Sequence, residues 1–192
     1  NVTIEMWYMP QAFAEQTFYQ RGDDATGGWS LGFLQKANGK VAAGAVTTQP
    51  LGYWLESVST LELNKWYHIA LTWNRTTGVL KLYVNGTFES SYSFTPNNLR
   101  SSTGGTYVAS NKGSYHNCMI DELRFWTIVK EESDIRASMY SELIGNETNL
   151  VAYYDFNETT GTTLPDLATG DGAENGTLVN MENVDWVESY AM

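Results

Sequence analysis

Residues 64–91 read N-K-W-Y-H-I-A-L-T-W-N-R-T-T-G-V-L-K-L-Y-V-N-G-T-F-E-S-S. From Trp66 to Trp73 the side chains are aromatic, β-branched or aliphatic almost without a break, the pattern of a strand buried on both faces. Asn74 to Gly78 is a turn signal, with Gly78 free to take positive φ. Val79 to Val84 then alternates, placing Leu80, Leu82 and Val84 on one face and Lys81 on the other. Asn85-Gly86 is a strong two-residue hairpin signal, because a type I′ turn needs positive φ at both central positions. The stretch predicts an antiparallel meander.

Upstream, Val2 to Met9 reads as a strand with Ile4, Met6 and Tyr8 opposite Glu5 and Trp7, closed by Pro10. Further strands are expected at Gln16–Gln20, at Trp29–Gln35 and Lys40–Val46 across Asn38-Gly39, and at Leu51–Val58. Downstream, Met119–Trp126 and Leu150–Phe156 read as strands, with short ones near Tyr107, at 177–179 and at 185–187. Lys130–Leu143 carries the only helical spacing, through Ile135, Met139 and Leu143. This gives an all-β, two-sheet antiparallel sandwich with one short helix, a single unit over residues 1–192.

Three segments in order, W-Y-H-I-A-L-T-W with L-K-L-Y-V-N-G, Ile120-Asp-Glu-Leu-Arg-Phe-Trp126, and Leu150-Val-Ala-Tyr-Tyr-Asp-Phe-Asn157 with Gly161-Thr162 and Asp166, resemble the laminin-G-like, concanavalin A-like jelly rolls. The resemblance implies a two-sheet jelly roll, and it leaves function open, since that fold hosts enzymes, lectins and adhesion modules. In relatives an earlier strand usually precedes the one like Val2–Met9, so an open sheet edge is expected there. Modules of this kind are commonly joined to larger secreted enzymes or adhesins, so a secreted or cell-surface piece of a longer protein is expected.

The net charge of −11, from 22 acidic and 11 basic residues, argues against nucleic acid and strongly anionic partners. No apolar run approaches the ~20 residues needed to cross a membrane as a helix, and the N-terminus has no signal-peptide pattern. The single Cys118 excludes an intrachain disulfide and is expected to be a buried, inert thiol. Arg21-Gly22-Asp23 reads as a turn before it reads as an adhesion tripeptide. N-x-S/T triplets begin at Asn1, Asn74, Asn85, Asn146, Asn157 and Asn175 and suit glycosylation or simply turns.

The resemblance extends to laminarinase-type glucanases, whose retaining catalysis implies an E-x-D-x(1–2)-E pattern on one strand, with two carboxylates ~5–5.5 Å apart. The only E-x-D here, Glu132-Ser133-Asp134, falls in the helical stretch and lacks a third acid, so no glycan hydrolysis is expected. His68 reads as a hydrogen-bonded structural residue, and His116 with Cys118 is a weak nucleophile pair. For a metal, Asp166, Asp171 and Asn175 lie on a Gly-interrupted loop that resembles the family's Asp/Asn-rich loop. With Asp121 they would offer oxygens to a structural Ca²⁺, or else simply make turns. For a ligand, aromatic rings near loops can stack on sugar C–H faces beside amides. Trp29, Tyr53, Trp54, Tyr107, Asn111, Tyr115 and Asn117 are the candidates, while Trp7, Trp66, Trp73 and Trp126 are assigned to packing. The expected function is a non-catalytic module recognising glycan or protein. The alternative is an assembly domain contacting other domains.

Overall fold

The computed structural model describes the chain except for residues 23–27, 49–51, 102–103, 112–113, 171 and 173. Its strands are β1 (Val2–Pro10), β2 (Gln16–Arg21), β3 (Leu31–Gln35), β4 (Val41–Val46), β5 (Gly52–Glu56), β6 (Tyr67–Asn74), β7 (Val79–Val84) and β8 (Thr87–Ser93). There follow β9 (Thr106–Val108), β10 (Ser110–Asn111), β11 (Ser114–Tyr115), β12 (Cys118–Trp126), helix α1 (Glu132–Ser138), β13 (Leu150–Tyr154), β14 (Thr163–Leu164) and β15 (Gly176–Thr177). A six-stranded antiparallel sheet, ordered β13-β12-β1-β6-β7-β8, packs on a five-stranded one, ordered β5-β4-β3-β2-β9. This is the two-sheet jelly roll that the meander announced.

Period-2 alternation builds the core. Ile4, Met6 and Tyr8 of β1, Ile69, Leu71 and Trp73 of β6, and Leu80, Leu82 and Val84 of β7 meet Phe18, Leu31, Phe33, Val41, Ala43, Ala45 and Leu55 of the facing sheet. The turn at Asn85-Gly86 has φ of 50° and 67°, as a type I′ hairpin requires. Two expectations change. β1 lies between β12 and β6, so the open edge expected beside it is absent, and the six-stranded sheet ends at β13 and β8. Near 185–187 the expected strand is a 3₁₀ turn, Asn183–Asp185.

The second face of the six-stranded sheet is also buried, which is why β6 reads as apolar on both sides. Segment 128–141 lies across it. Thr3 donates to the Ile128 carbonyl at 2.8 Å, and the Trp7 indole N–H donates to the Met139 carbonyl at 2.9 Å. Arg124 donates to the Ser138 and Ser141 carbonyls at 2.9 and 2.7 Å. Those carbonyls end a helix shorter than its pattern suggests, Glu132–Ser138, because the guanidinium offers them a partner that further helical turns would otherwise supply.

Candidate functional site

The outer face of the five-stranded sheet is built differently. Directly opposed residues in an antiparallel pair share a face. The registers Trp54↔Gly44, Gly44↔Gly32, Gly32↔Gln20 and Gln20↔Tyr107 therefore define one row across all five strands. Its parity is opposite to that of Leu55, Ala43 and Phe33, which enter the core. The row crosses four interstrand gaps, about 19 Å.

Glycine makes this face what it is. A Cβ at Gly44 would come within 2.6 Å of Trp54 ring atoms and 2.9 Å of the Trp29 ring, and one at Gly32 within 3.1 Å of Trp54. The Trp54 indole therefore lies down across two glycines in mid-strand, where a side chain would prop it up. Trp29 packs beside it, ring centroids 4.7 Å apart and tilted 31°. Both tryptophans are half-buried, so each keeps ring surface in contact with solvent. The Gln20 amide beside the row donates to the Gly22 carbonyl at 2.7 Å, which fixes its orientation. At one end of the row Tyr107 is half-buried.

Of the residues expected to bind a ligand, Trp29, Trp54 and Tyr107 are thus gathered on one face. Tyr53, next to Trp54, points the other way. It is paired with core-facing Ala45 and stacks on Tyr92 at the sandwich rim, centroids 3.9 Å apart. Tyr115 is 50% exposed and accepts a hydrogen bond from Asn180 at 2.6 Å, away from the row. Asn111 lies in β10, and its side chain is outside the described residues, as is Asp23 of the Arg-Gly-Asp tripeptide. What the sequence reading passed over is the glycine floor. An isolated Gly inside a strand pattern, in L-G-F and A-G-A, is the signal for a close approach.

The candidate calcium residues fall in two places. Asp166 Oδ1 accepts the Tyr153 and Ala168 amides at 3.0 and 2.9 Å, and Oδ2 accepts the Glu174 amide at 3.2 Å. Asn175 Oδ1 in turn accepts the Asp166 amide at 3.0 Å. Of about four lone-pair sites on a carboxylate, three on Asp166 are engaged by backbone, so these two residues staple a loop. Asp171 lies outside the described residues. Asp121 lies within β12, lining a cavity of about 510 Å³ with Glu158, Trp186 and Ser189. Burial, above all, pushes its carboxyl upward. Among the described residues no group of three or more His, Cys, Asp or Glu side chains is placed to hold a metal ion.

The remaining reactive candidates are structural. Burial pushes the Cys118 thiol up to about 12 and the His116 imidazole down to about 4, the reverse of an activated thiolate–imidazolium pair. Both ring nitrogens of His116 are engaged, by the Tyr8 hydroxyl at 2.7 Å and by Gln16. Glu132 pairs with Arg136 at 2.6 Å and Asp134 accepts the Glu131 amide at 3.3 Å, so the acids of the E-x-D triplet serve α1. His68 departs from expectation. It is 1% exposed, and neither ring nitrogen finds a hydrogen-bond partner among the described residues. Glu5 Oε2 lies 3.8 Å from its Nε2.

Residues 1–136 match the family model described as the concanavalin A-like lectin/glucanases superfamily. The chain belongs to that superfamily. Its fold is shared with a candidate carbohydrate binding protein from Bacteroides ovatus (TM-score 0.69, 21% identity), over 92% of this chain and 53% of that one. A SAP-like pentraxin from Limulus polyphemus gives a TM-score of 0.62 at 15% identity, over 92% of this chain and 82% of that one. Domain 4 of AbnA, a GH43 extracellular arabinanase from Geobacillus stearothermophilus solved with arabinotriose, gives 0.54 at 17%, over 71% of this chain and 65% of that one. The chain thus spans about half the length of the Bacteroides protein. No curated protein sequence matches it.

Proposed function

We propose that this chain is a non-catalytic carbohydrate-binding module of a longer secreted or cell-surface protein, and that its ligand lies along the row Trp54–Gly44–Gly32–Gln20–Tyr107. The observation that carries the reading is the indole of Trp54 laid over in-register glycines beside Trp29. A flat, rigid, half-wetted ring on a sheet offers apolar area to sugar C–H faces at little entropic cost. Tyr107, half-buried, carries a second aromatic ring at the far end of the same row, and buried Gln20 packs the face between the two. The superfamily and the carbohydrate-related names of two structural neighbours agree with this reading.

The test is a glycan array followed by titration calorimetry on hits. Wild type binds a defined sugar class, and Trp54→Ala weakens that binding about tenfold or more without loss of the fold. A second reading, contact with neighbouring domains, is favoured by exposed apolar side chains near the C-terminal end, Val184 at 80% and Tyr190 at 75%. A blank array from folded protein would transfer the weight to it.

A further inference from the structure

The platform does not stop at β5. Where the free edges of β5 and β8 face each other there is a cleft of about 580 Å³, lined by Gly52, Tyr53, Tyr92, Phe94, Thr95 and Asn97 among others. Tyr53 and Tyr92 both have core parity, being paired with Ala45 and Leu80. They sit at the rim beyond the packed interior, stacked on each other at 14°, yet 43% and 38% exposed. Phe94 turns its edge to Tyr92 at 4.8 Å and packs in turn against buried Trp73, which anchors the wall.

Two properties limit what could occupy this cleft. First, none of the described residues lining it carries a formal charge, in a chain whose net charge is −11. Its chemistry is aromatic area with hydroxyl and amide groups from Ser93, Thr95 and Asn97, which offers an ionic ligand no counter-charge. Second, it adjoins the platform. Gly52 lines the cleft, and a Cβ there would lie 3.7 Å from the Trp29 ring, which itself touches Trp54. Gly52 and Trp54 are two positions apart on β5, about 7 Å. A Cβ at Gly52 would also come within 3.0 Å of Val46 Cγ2, so the glycine lets Val46 and the Trp29 ring close up where the two surfaces meet.

We propose that the cleft is a further subsite of the same binding surface, and that the ligand is an uncharged oligosaccharide that runs along the platform and turns over the β5 edge to place one sugar against Tyr53 and Tyr92. This rests on the carbohydrate-binding reading above and specifies its ligand as neutral and longer than the platform alone requires.

The experiment measures affinity for neutral arabino-, xylo-, cello- and manno-oligosaccharides of increasing length, with sialyllactose as an anionic comparison. Wild type is compared with Trp54→Ala, Tyr92→Ala, Tyr92→Phe and Thr95→Trp. In at least one neutral series affinity rises with length. Tyr92→Ala lowers affinity for the longest member at least about fivefold, the worth of one lost ring contact, while leaving the shortest bound member unchanged. Tyr92→Phe keeps the ring and the affinity. Thr95→Trp, which fills the cleft without removing a core group, removes the length dependence in the same way and guards against misfolding of Tyr92→Ala. Affinity that depends on Trp54 but not on length or on Tyr92 would overturn the subsite and leave the platform standing. Binding of sialyllactose in preference to every neutral series would overturn neutrality. Failure of all sugars would overturn both proposals.

Discussion

The two sheets turn opposite kinds of surface outward. On the six-stranded sheet the outward side chains Glu5, His68, Glu122 and Arg124 are buried beneath the chain's own segment 128–141. Lys130 donates to Glu5 at 2.8 Å and lies 4.6 Å over the Trp126 ring, whose N–H reaches the same Glu5 oxygen at 2.9 Å. On the five-stranded sheet the outward row is glycine, tryptophan, glutamine and tyrosine, with Trp54 and Tyr107 half-buried at its ends. One face is filled by its own polypeptide and held by charge. The other is flattened by glycine and keeps its aromatic rings half-buried. The second presents flat aromatic area to a foreign molecule, and this, more than the number of aromatic residues in the chain, is the argument for where a ligand binds.

The contrast is broken most severely on the covered face. Arg124→Met leaves the buried Glu122 carboxylate without its guanidinium partner and two carbonyls without donors. It should destabilise the fold by about 3–5 kcal/mol in urea denaturation, while any folded fraction keeps its glycan affinity.

Acid acts on the same face. Burial, opposed by Glu5, lowers the His68 pKa from 6.5 to about 4. The unfolded chain therefore takes up a proton at a pH where the folded one does not. Stability is full above about 6.5, falls as pH drops toward 4 and levels off below it, a loss of roughly 3 kcal/mol at most. His116 adds to the slope in the same sense, whereas the raised carboxyls of Asp121 and Glu122 oppose it. Denaturation midpoints of wild type and His68→Gln across this range check the assignment, since the variant should lose the His68 share of the slope and keep that of His116.

A smaller effect tests the loop that resembles a calcium site. Asp166→Ala frees three backbone amides and should cost about 2 kcal/mol, whereas EDTA should leave the melting temperature unchanged. A drop of several degrees on chelation would show that an ion is held there after all. The smallest effect concerns the platform floor. Gly44→Ala places a methyl under Trp54 and lifts the ring, so sugar affinity should fall about threefold, with about 1 kcal/mol of stability lost to overpacking.

The fold was largely legible from the meander, because alternation, two turn signals and an Asn-Gly hairpin agree across residues 64–91. β6 and β7 begin and end within about a residue of their expected limits. The site was legible only in part. Tyr53 and Trp54 were treated alike because adjacent aromatic residues cannot be assigned to faces until the strand's core side is known, and the structure separates them. The covered face was hidden for a different reason. Glu5 and its partner Trp126 are 121 residues apart, and Glu5 and Lys130 are 125 apart. No local pattern reports such pairs. The glycines at 32 and 44 did carry a local signal, since each interrupts a strand where a side chain would otherwise pack.

The most direct measurement follows the indole N–H resonances of the chain's seven tryptophans by ¹H–¹⁵N NMR during titration with an oligosaccharide selected on the array. Trp54 and Trp29 should shift most, while Trp7 and Trp126, bonded to Met139 and Glu5 under the helix, should stay in place. Shifts concentrated at Trp7, Trp126 or Trp186, with Trp54 and Trp29 unmoved, would contradict the account.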